Sequence, residues 1–314
     1  MSKRIILFFV SVFIVILSFA DVFAEEPFHV GTWKLQQTIQ PFVYNKFLPK
    51  NIDVEVKTFT NPGDQKNALL AGSLDFTGTT IVQAIISSSK GEPVVLVSGL
   101  TNKCSALVAG NDSGINKPSD LKGKRIGYVP GTMHHILLLE TLSKAGLSAK
   151  DVELIRVDFF DMAAALGRKQ IDAFLSGEPA PTLVQSSGSG RILSYPYFDD
   201  SIGKINAGML VTREMIQKHP EKVQALVTAH AKATEYLKKN PNIWLDEAAK
   251  LGQKPEILKA AASNIDLIWD IDDTFITHAK NLAAKMKELG VIEKMPDWNT
   301  LFDTRFVKAA RKAL

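Results

Sequence analysis

Segments with the pattern of a β-strand alternate with segments with the pattern of a helix along residues 28–175. Residues 52–57 alternate apolar and polar side chains as a half-buried strand does, residues 65–71 follow as a helix, and residues 93–98 form a Val-rich strand. Such alternation is typical of α/β proteins with largely parallel sheets. From Arg213 onward the pattern is almost entirely helical. The chain is therefore predicted to be an α/β protein with a helical C-terminal portion.

The composition suits a globular protein of two domains. The chain has 314 residues, 46% of them hydrophobic and 22% charged, which is enough apolar material for one large core or two medium ones. The formal net charge of +4 is too small, and the basic residues are too evenly spread, to indicate a nucleic-acid-binding protein. The single cysteine, Cys104, cannot form an internal disulfide and has no obvious base near it in the sequence, so we expect it to be buried and inert.

The first 24 residues have the pattern of an export signal. Lys3 and Arg4 precede an apolar run over residues 5–20, and the Val-Phe-Ala of residues 22–24 resembles a cleavage site. The run is shorter than the roughly 20 residues that a membrane-spanning helix needs. We predict a cleaved signal peptide over residues 1–24 and a periplasmic product, with an uncleaved N-terminal anchor as the alternative.

Two short stretches resemble each other and suggest two similar halves. Residues 69–75 and 166–172 share a Leu, an apolar residue five positions later, and then an Asp, which is Asp75 in one and Asp172 in the other. Each stretch reads as the end of a helix that leads into a strand. Small polar residues follow both strands, and ligands collect at the carboxyl ends of strands in α/β sheets. Chance similarity between common core residue types is the alternative.

The stretch over residues 127–146 contains the strongest candidate for a ligand contact. A short strand runs into a Pro-Gly-Thr turn at Gly131 and Thr132, and an amphipathic helix begins there. Free backbone N–H groups and the positive end of the helix dipole make such a turn a possible cradle for an anionic group. Thr77, Gly78, Thr79 and Thr80 resemble a second turn of this kind. Plain N-capping is the alternative for each threonine.

Two further loops complete the candidate surface. Trp33 and Gln36 follow the first strand, and Glu178 follows a strand in the middle of the chain. A carboxylate beside anion cradles suggests a ligand that also carries an amine or N–H donors, although a solvated loop acid is an equally good interpretation of Glu178. His134 and His135 are adjacent, so on a helix they point about 100° apart and cannot chelate a metal as a pair. We predict neither a metal site nor a cofactor.

Five motifs in this order resemble a known family. They are ALLAGSLDFTGTT (residues 68–80), KGEPVVLVSGL (90–100), DSGI (112–115), DLKGKRIGYVPGTMHHILLLETLSKAGL (120–147) and QIDAFLSGEP (170–179). Together they are similar to the periplasmic substrate-binding proteins of the nitrate, sulfonate and taurine ABC importers, a group that includes NMT1/THI5-like proteins. The resemblance implies the periplasmic-binding-protein type II fold, with two α/β lobes joined by two hinge strands. The crossings would lie near residues 105–110 and 206–211, with residues 25–104 and 211–314 in the first lobe and 105–210 in the second.

The resemblance also implies which residues line the cleft between the lobes. The ligand-binding residues carried over from the family are Gln36, Thr77, Gly78, Thr79, Thr80, Gly131, Thr132, Met133, His134 and Glu178, and we add Trp33 as a cover from the loop after the first strand. The chain departs from the family pattern at Gly177, where the family often has Trp, and at Met133 and His134, where it commonly has small residues.

The implied function is solute capture for transport. The resemblance implies a monomeric, non-enzymatic component of an ABC importer that closes around a sulfonate-, taurine- or nitrate-like ligand and delivers it to a permease in the inner membrane. One alternative is a binder of a thiamine-pyrimidine or other heterocyclic precursor. Another is an enzyme on the same fold, since fold does not determine function. The sensory module of a receptor is a third.

Overall fold

The computed structural model describes residues 27–60 and 62–314, so the predicted signal peptide over residues 1–24 lies outside the described residues. Eleven strands are present in this part of the chain. They are β1 (Phe28–Trp33), β2 (Val54–Phe59), β3 (Phe76–Thr80), β4 (Val94–Lys103), β5 (Ser105–Gly110), β6 (Arg125–Tyr128), β7 (Glu153–Arg156), β8 (Ala173–Gly177), β9 (Gly190–Ser194), β10 (Ile205–Thr212) and β11 (Ile265–Leu267).

Twelve α-helices alternate with or follow these strands in the described residues, besides five short 3-10 helices. They are α1 (Pro62–Leu70), α2 (Ile81–Ser89), α3 (Met133–Lys144), α4 (Met162–Gly167), α5 (Ala180–Ser187), α6 (Arg213–Lys218), α7 (Pro220–Lys239), α8 (Pro241–Ala249), α9 (Pro255–Ala261), α10 (Asp273–Glu288), α11 (Trp298–Leu301) and α12 (Arg305–Arg311). Within the part of the chain that is described, none of the helices is both long and apolar enough to cross a bilayer.

The strands form two mixed sheets, which confirms the predicted α/β class. The first sheet has the order β11-β4-β10-β3-β1-β2 and the second the order β7-β6-β8-β5-β9. In each sheet three parallel strands are followed by an antiparallel one: β10 pairs with β3, and β5 pairs with β8. The two sheets therefore repeat one plan.

The chain passes between the sheets at two places. It leaves the first sheet after β4, where Lys103 and Cys104 both have a positive φ, of 61° and 70°. It returns between β9 and β10. The Asn206 side-chain amide joins the two passages, since its Nδ2 donates to the Lys103 carbonyl oxygen at 2.6 Å and to Cys104 Sγ at 3.1 Å. The lobe boundaries given above stay a prediction.

The internal repeat has the same structure in both copies. The Asp75 carboxylate accepts a hydrogen bond from the His29 backbone N–H at 2.9 Å, and the Asp172 carboxylate accepts one from the Arg125 backbone N–H at 2.9 Å. Each aspartate lies just before the third parallel strand of its sheet and binds the beginning of the neighbouring strand. Chance similarity between the two stretches does not explain this shared role.

The structure corrects the prediction for residues 77–79. Thr77, Gly78 and Thr79 lie inside β3, where they pair with β10, and not in a loop that opens a helix. Only Thr80 is an N-cap: its hydroxyl accepts a hydrogen bond from the backbone N–H of Gln83, two residues into α2. The antiparallel partner, more than a hundred residues away in the chain, extends the strand beyond its local pattern. β11 is a second difference, because the region after Arg213 was predicted to be helical.

The main hydrophobic core extends through both sheets. It includes β1, β3, β4 and β10 of the first sheet, parts of β5, β6 and β8, and the apolar sides of α2, α3, α7 and α10. A smaller cluster packs α4 and α5 against the other face of the second sheet, around Val108, Phe174 and Val184. The core therefore continues across the region where the two sheets approach each other.

Candidate functional site

The loop after β1 meets the loop after β8 where the sheets approach. Gln37 Nε2 donates a hydrogen bond to the Glu178 backbone carbonyl oxygen at 2.8 Å. The rings of Trp33 and Phe159, the latter in the loop after β7, pack with their centroids 6.0 Å apart. We call the region where the loops after β1 and β3 meet the loops after β6, β7 and β8 the junction.

Glu178 lies buried at the junction, with only 2% of its surface exposed, so its interpretation as a solvated loop acid is wrong. Its Oε2 accepts hydrogen bonds from the Thr182 hydroxyl at 2.8 Å and the Thr182 backbone N–H at 3.3 Å. Its Oε1 accepts one from Asn264 Nδ2 at 3.2 Å, and this bond reaches across from the first sheet. Burial raises the pKa of the Glu178 carboxyl, and these hydrogen bonds partly offset the shift.

The two predicted helix-start cradles contact each other. The Thr80 hydroxyl donates a hydrogen bond to the Gly131 carbonyl oxygen at 3.0 Å. Gly131 has a φ of +69°, a backbone conformation that residues with a Cβ rarely adopt, so the turn favours glycine. Thr132 caps α3: its hydroxyl accepts from the His135 backbone N–H and donates to the Val129 carbonyl oxygen. The Thr132 hydroxyl is therefore fully engaged within its own turn.

His134 lies one residue further along α3 and is also buried. Its Nδ1 lies 2.9 Å from the Ser105 hydroxyl, and its ring packs edge-on against Phe159. Burial lowers the pKa of His134 to about 3, so the imidazole is neutral at physiological pH. A Cβ at Gly177 would lie 2.8 Å from His134 Nε2 and 3.3 Å from Cys104 Sγ, so the imidazole occupies the space of a residue-177 side chain.

The remaining predicted site residues differ in whether their polar side-chain atoms already have a hydrogen-bond partner. The Thr77 hydroxyl accepts a hydrogen bond from Gln65 Nε2 at 2.8 Å, and Gly78 lies under Leu100 and Met209. Met133 is buried in the main core. Thr79, in contrast, has a buried hydroxyl without a hydrogen-bond partner in the described residues.

Cys104 is buried, as predicted. Burial is the main cause that raises the pKa of its thiol, and the nearby Glu178 carboxylate raises it further. A thiol held in its neutral form is a poor nucleophile. The sulfur accepts the hydrogen bond from Asn206 described above, so Cys104 contributes to the structure where the chain passes between the sheets.

Three glutamines near the end of β1 carry buried acceptors: Gln36, a predicted site residue, and Gln37 and Gln40, which sequence reasoning passed over. Gln36 Nε2 donates to the Leu258 carbonyl oxygen at 3.0 Å and Gln40 Nε2 to the Leu100 carbonyl oxygen at 2.9 Å, as Gln37 Nε2 does to Glu178. Because a carbonyl can only accept, these bonds establish which amide atom is nitrogen. The side-chain oxygens of all three glutamines are buried and lack a partner in the described part of the chain. The Gln-Gln-Thr-Ile-Gln run of residues 36–40 was the available signal.

Ser176 is a further residue that the sequence could have indicated. It occupies the position after Asp172 that Thr79 occupies after Asp75, and its hydroxyl is likewise buried without a partner in the described residues. Extending the comparison of the two repeat copies beyond the aspartates would have predicted that Thr79 and Ser176 are equivalent. Phe159 and Asn264 left no comparable signal, because only the folded chain brings them to the junction.

The buried polar groups are almost all neutral. Among residues 27–60 and 62–314, the buried polar side chains include no lysine or arginine, and Glu178 is the buried acid. The same residues contain no cluster of three or more His, Cys, Asp or Glu side chains that could hold a metal ion. The junction can therefore offer a ligand many hydrogen bonds but no fully buried cationic side chain.

Known proteins that are similar in sequence to this chain include a binding protein and an enzyme. It is 28% identical over 202 residues, 63% of this chain and 62% of the other, to a protein of Brucella abortus whose name describes it as a binding protein. It is 29% identical over 204 residues, 61% of this chain and 58% of the other, to the 4-amino-5-hydroxymethyl-2-methylpyrimidine phosphate synthase of Schizosaccharomyces pombe. The aligned region thus spans less than two thirds of each of these relatives.

Solved structures share the fold over most of the chain. The ligand-binding component of an ABC-type import system from Staphylococcus aureus, solved with zinc bound, superposes with a TM-score of 0.80 at 18% identity, covering 91% of this chain and 99% of that one. The alkanesulfonate-binding protein of Xanthomonas axonopodis, bound to MOPS, superposes with a TM-score of 0.74 at 20% identity, covering 87% and 95%. Residues 47–243 match the NMT1/THI5-like family. This match covers more than half of the sequence, and the chain therefore belongs to the NMT1/THI5-like family.

Proposed function

We propose that the protein is the extracytoplasmic solute-binding component of an ABC importer and that it holds a small polar organic solute at the junction. Residues from both sheets contribute to the junction, so a ligand bound there would stabilise the form in which the sheets are close together. The loaded form would then bind a permease in the inner membrane. The sulfonate-binding and importer proteins that share the fold support this proposal.

The buried acceptors without partners are the observation that carries the proposal. Gln36, Gln37 and Gln40 each present a side-chain oxygen that can only accept, while Trp33 Nε1 can only donate and the Thr79 and Ser176 hydroxyls can do either. Buried polar groups are normally satisfied, and each one left unsatisfied costs about 1–3 kcal/mol. Five of these six atoms can accept a hydrogen bond, so a ligand with N–H donors complements them better than one that has acceptors alone.

Because acceptors outnumber donors among these atoms, the candidate ligands can be ranked by the N–H donors that they carry. A taurine-like zwitterion has an ammonium group for the glutamine oxygens and a sulfonate for Trp33 Nε1 and the hydroxyls. An amino-substituted heterocycle such as a thiamine-pyrimidine precursor, the second candidate, also carries N–H donors. Nitrate and simple alkanesulfonates offer only acceptors, and they would leave the glutamine oxygens unsatisfied.

A binding screen by thermal shift and calorimetry tests the proposal. Taurine, ethanesulfonate, nitrate and 4-amino-5-hydroxymethyl-2-methylpyrimidine are added separately to the mature protein. We expect taurine or the aminopyrimidine to raise the melting temperature and to bind with a Kd in the micromolar range, and nitrate to leave both measurements unchanged. Binding of nitrate or ethanesulfonate more tightly than both donor compounds would contradict the ligand class, and chemical conversion of a bound compound would indicate an enzyme.

A matched pair of variants tests the role of the junction. Thr80→Val removes an N-cap together with the hydrogen bond to Gly131, whereas Thr212→Val removes the N-cap of α6, whose hydroxyl accepts from the Met215 backbone N–H. Loss of the cap should lower the free energy of unfolding by about 1 kcal/mol in each variant, and loss of the Gly131 hydrogen bond should cost Thr80→Val about 1 kcal/mol more. Only Thr80→Val should weaken ligand binding, by about fivefold or more, since it alone removes a hydrogen bond between the sheets. Equal affinities in the two variants would place the ligand elsewhere.

A further inference from the structure

A mostly apolar cavity of about 250 Å³ lies beside the junction. Leu35 and Ile257 line it from the side of the first sheet and its C-terminal helices, and Phe159, Ala163 and Leu183 line it from the side of the second sheet. Leu183 is 38% exposed, and Phe160, which also lines the cavity, is 45% exposed. Both side chains line the same concavity, and contiguous exposed apolar surface is typical of ligand-binding grooves and interaction sites.

The cavity contains two hydrogen-bond acceptors. Glu178 is one of the lining residues, and its buried carboxylate is described above. Gln253 is the other: its Nε2 donates to the Lys34 carbonyl oxygen at 2.7 Å, so its Oε1 faces away as an acceptor, buried and without a partner in the described residues. An occupant that satisfies both groups must bring N–H donors together with an apolar body.

The cavity adjoins the polar part of the junction. Phe159 contacts the rings of both Trp33, at 6.0 Å, and His134, at 5.8 Å between centroids. Gly177, which lies against His134, also lines the cavity. A single phenyl ring and a backbone segment without a side chain thus separate the cavity from the buried polar groups.

We propose that this cavity binds the apolar end of the transported solute, so that the cargo is an amphiphile. Its apolar part would be a ring or short branched chain, its neighbouring N–H group would donate to Gln253 Oε1 and Glu178, and its polar head would reach the glutamines of the junction. The cavity volume is below the range of about 300–1,000 Å³ that is typical of pockets enclosing a whole drug-sized ligand. The cavity is therefore large enough for one part of such a ligand and too small for all of it. This inference rests on the proposed solute-binding function, and it restricts the class of ligand to amphiphiles.

The first experiment tests the cavity without any assumption about the polar head. Cyclohexylamine, a ring with an ammonium group, is titrated into the purified full-length mature protein and observed by saturation-transfer NMR. The variant Ala163→Phe fills the cavity from α4, and Ala164→Phe adds the same side chain to the next, exposed position of that helix, outside the cavity. We expect saturable binding in the wild type and in Ala164→Phe, and a loss of at least about tenfold in affinity in Ala163→Phe. Absence of binding in the wild type, or equal binding in the two variants, would overturn the proposal.

The second experiment separates the cavity from the head group. Taurine and 2-(cyclohexylamino)ethanesulfonate share one head, and only the second carries the ring. The ring should tighten binding by about tenfold or more, because each buried methylene contributes about fourfold, and Ala163→Phe should abolish this gain. Binding of taurine with no gain from the ring would overturn the cavity proposal and leave the proposed function intact. If neither sulfonate binds while cyclohexylamine does, the cavity proposal stands and the taurine-like head is wrong.

Discussion

At the scale of single residues, the large side chain of His134 accounts for the absence of a side chain at Gly177. The family resemblance makes a tryptophan common at the position of Gly177 and small residues common at the position of His134. Here the large side chain is on α3, and it fills the space that a side chain on residue 177 would take. The imidazole is held by the Ser105 hydroxyl. We infer that the two departures are one exchange of volume within the second sheet's side of the junction.

We expect Gly177→Ala to destabilise the protein by about 1–3 kcal/mol, because the new methyl group would overlap His134 Nε2 and approach Cys104 Sγ. Urea denaturation measures the change. Gly167→Ala is the matched control, since a Cβ at that position meets nothing within 4 Å. In a His134→Ala background the same substitution should cost at least about 1 kcal/mol less, because the overlap is gone. Equal costs in both backgrounds would show that the exchange of volume is not real.

At the scale of secondary-structure elements, the two aspartates of the repeat join strands that are not consecutive in the chain. Asp75 connects the beginning of β3 to that of β1, and Asp172 connects β8 to β6. Asp172 also accepts two hydrogen bonds from the Arg125 guanidinium, at 2.7 and 3.2 Å, and this arginine holds the pKa of the carboxyl below its usual range. The same residue type thus sets the alignment of parallel strands in both sheets.

Removing either aspartate should leave a backbone N–H without its acceptor. We expect Asp75→Ala and Asp172→Ala each to lower the free energy of unfolding by about 1–2 kcal/mol, and the Asn variants to lower it less, since an amide oxygen can still accept. Asp112→Ala is the control: its carboxylate pairs with Lys169 on the surface, and both side chains are about three quarters exposed. The repeat would have no structural role if both Ala variants unfolded at the same urea concentration as this control.

At the scale of the whole molecule, buried neutral histidines make stability depend on pH. Burial lowers the pKa of His134 to about 3 and that of His135 and His230 to about 4. His230 lies between α7 and the first sheet, where its Nε2 donates to the Gly99 carbonyl oxygen and its Nδ1 accepts from the Tyr44 hydroxyl. In the unfolded chain these groups bind a proton near pH 6.5, so unfolding takes up protons below that pH. Glu178, whose pKa is raised, acts in the opposite direction.

We therefore expect the free energy of unfolding to be highest above pH 7 and to fall as the pH is lowered from about 6.5 to 4. His230→Gln should reduce the slope of this fall near pH 5.5 by about 1 kcal/mol per pH unit, because one proton fewer is taken up. Urea denaturation at half-unit steps of pH measures the slope. Gly167→Ala, which changes no titratable group and adds a methyl group where nothing lies within 4 Å, should retain the wild-type slope. A wild-type slope in His230→Gln would mean that this histidine is not buried in its neutral form.

The sequence by itself determined the features that depend on a few neighbouring residues. Strand and helix periodicity predicted the α/β class, the threonines at 80 and 132 were rightly considered as N-caps, and the spacing to Asp75 and Asp172 predicted the repeat. The burial of Cys104 also followed from composition. These features are local because backbone conformation and capping are set within one or two turns of the chain.

Only the tertiary structure decided how the junction is built. Gln37 and Glu178 are 141 positions apart, and Gln36 and Leu258 are 222 apart. No local sequence pattern can therefore show that the side-chain N–H groups of these glutamines donate to distant backbone carbonyls. Thr77 and Thr79 became strand residues because β10 supplies hydrogen bonds from far along the chain. Burial and hydrogen-bond satisfaction are properties of what surrounds a group, and those surroundings exist only after the two sheets have come together.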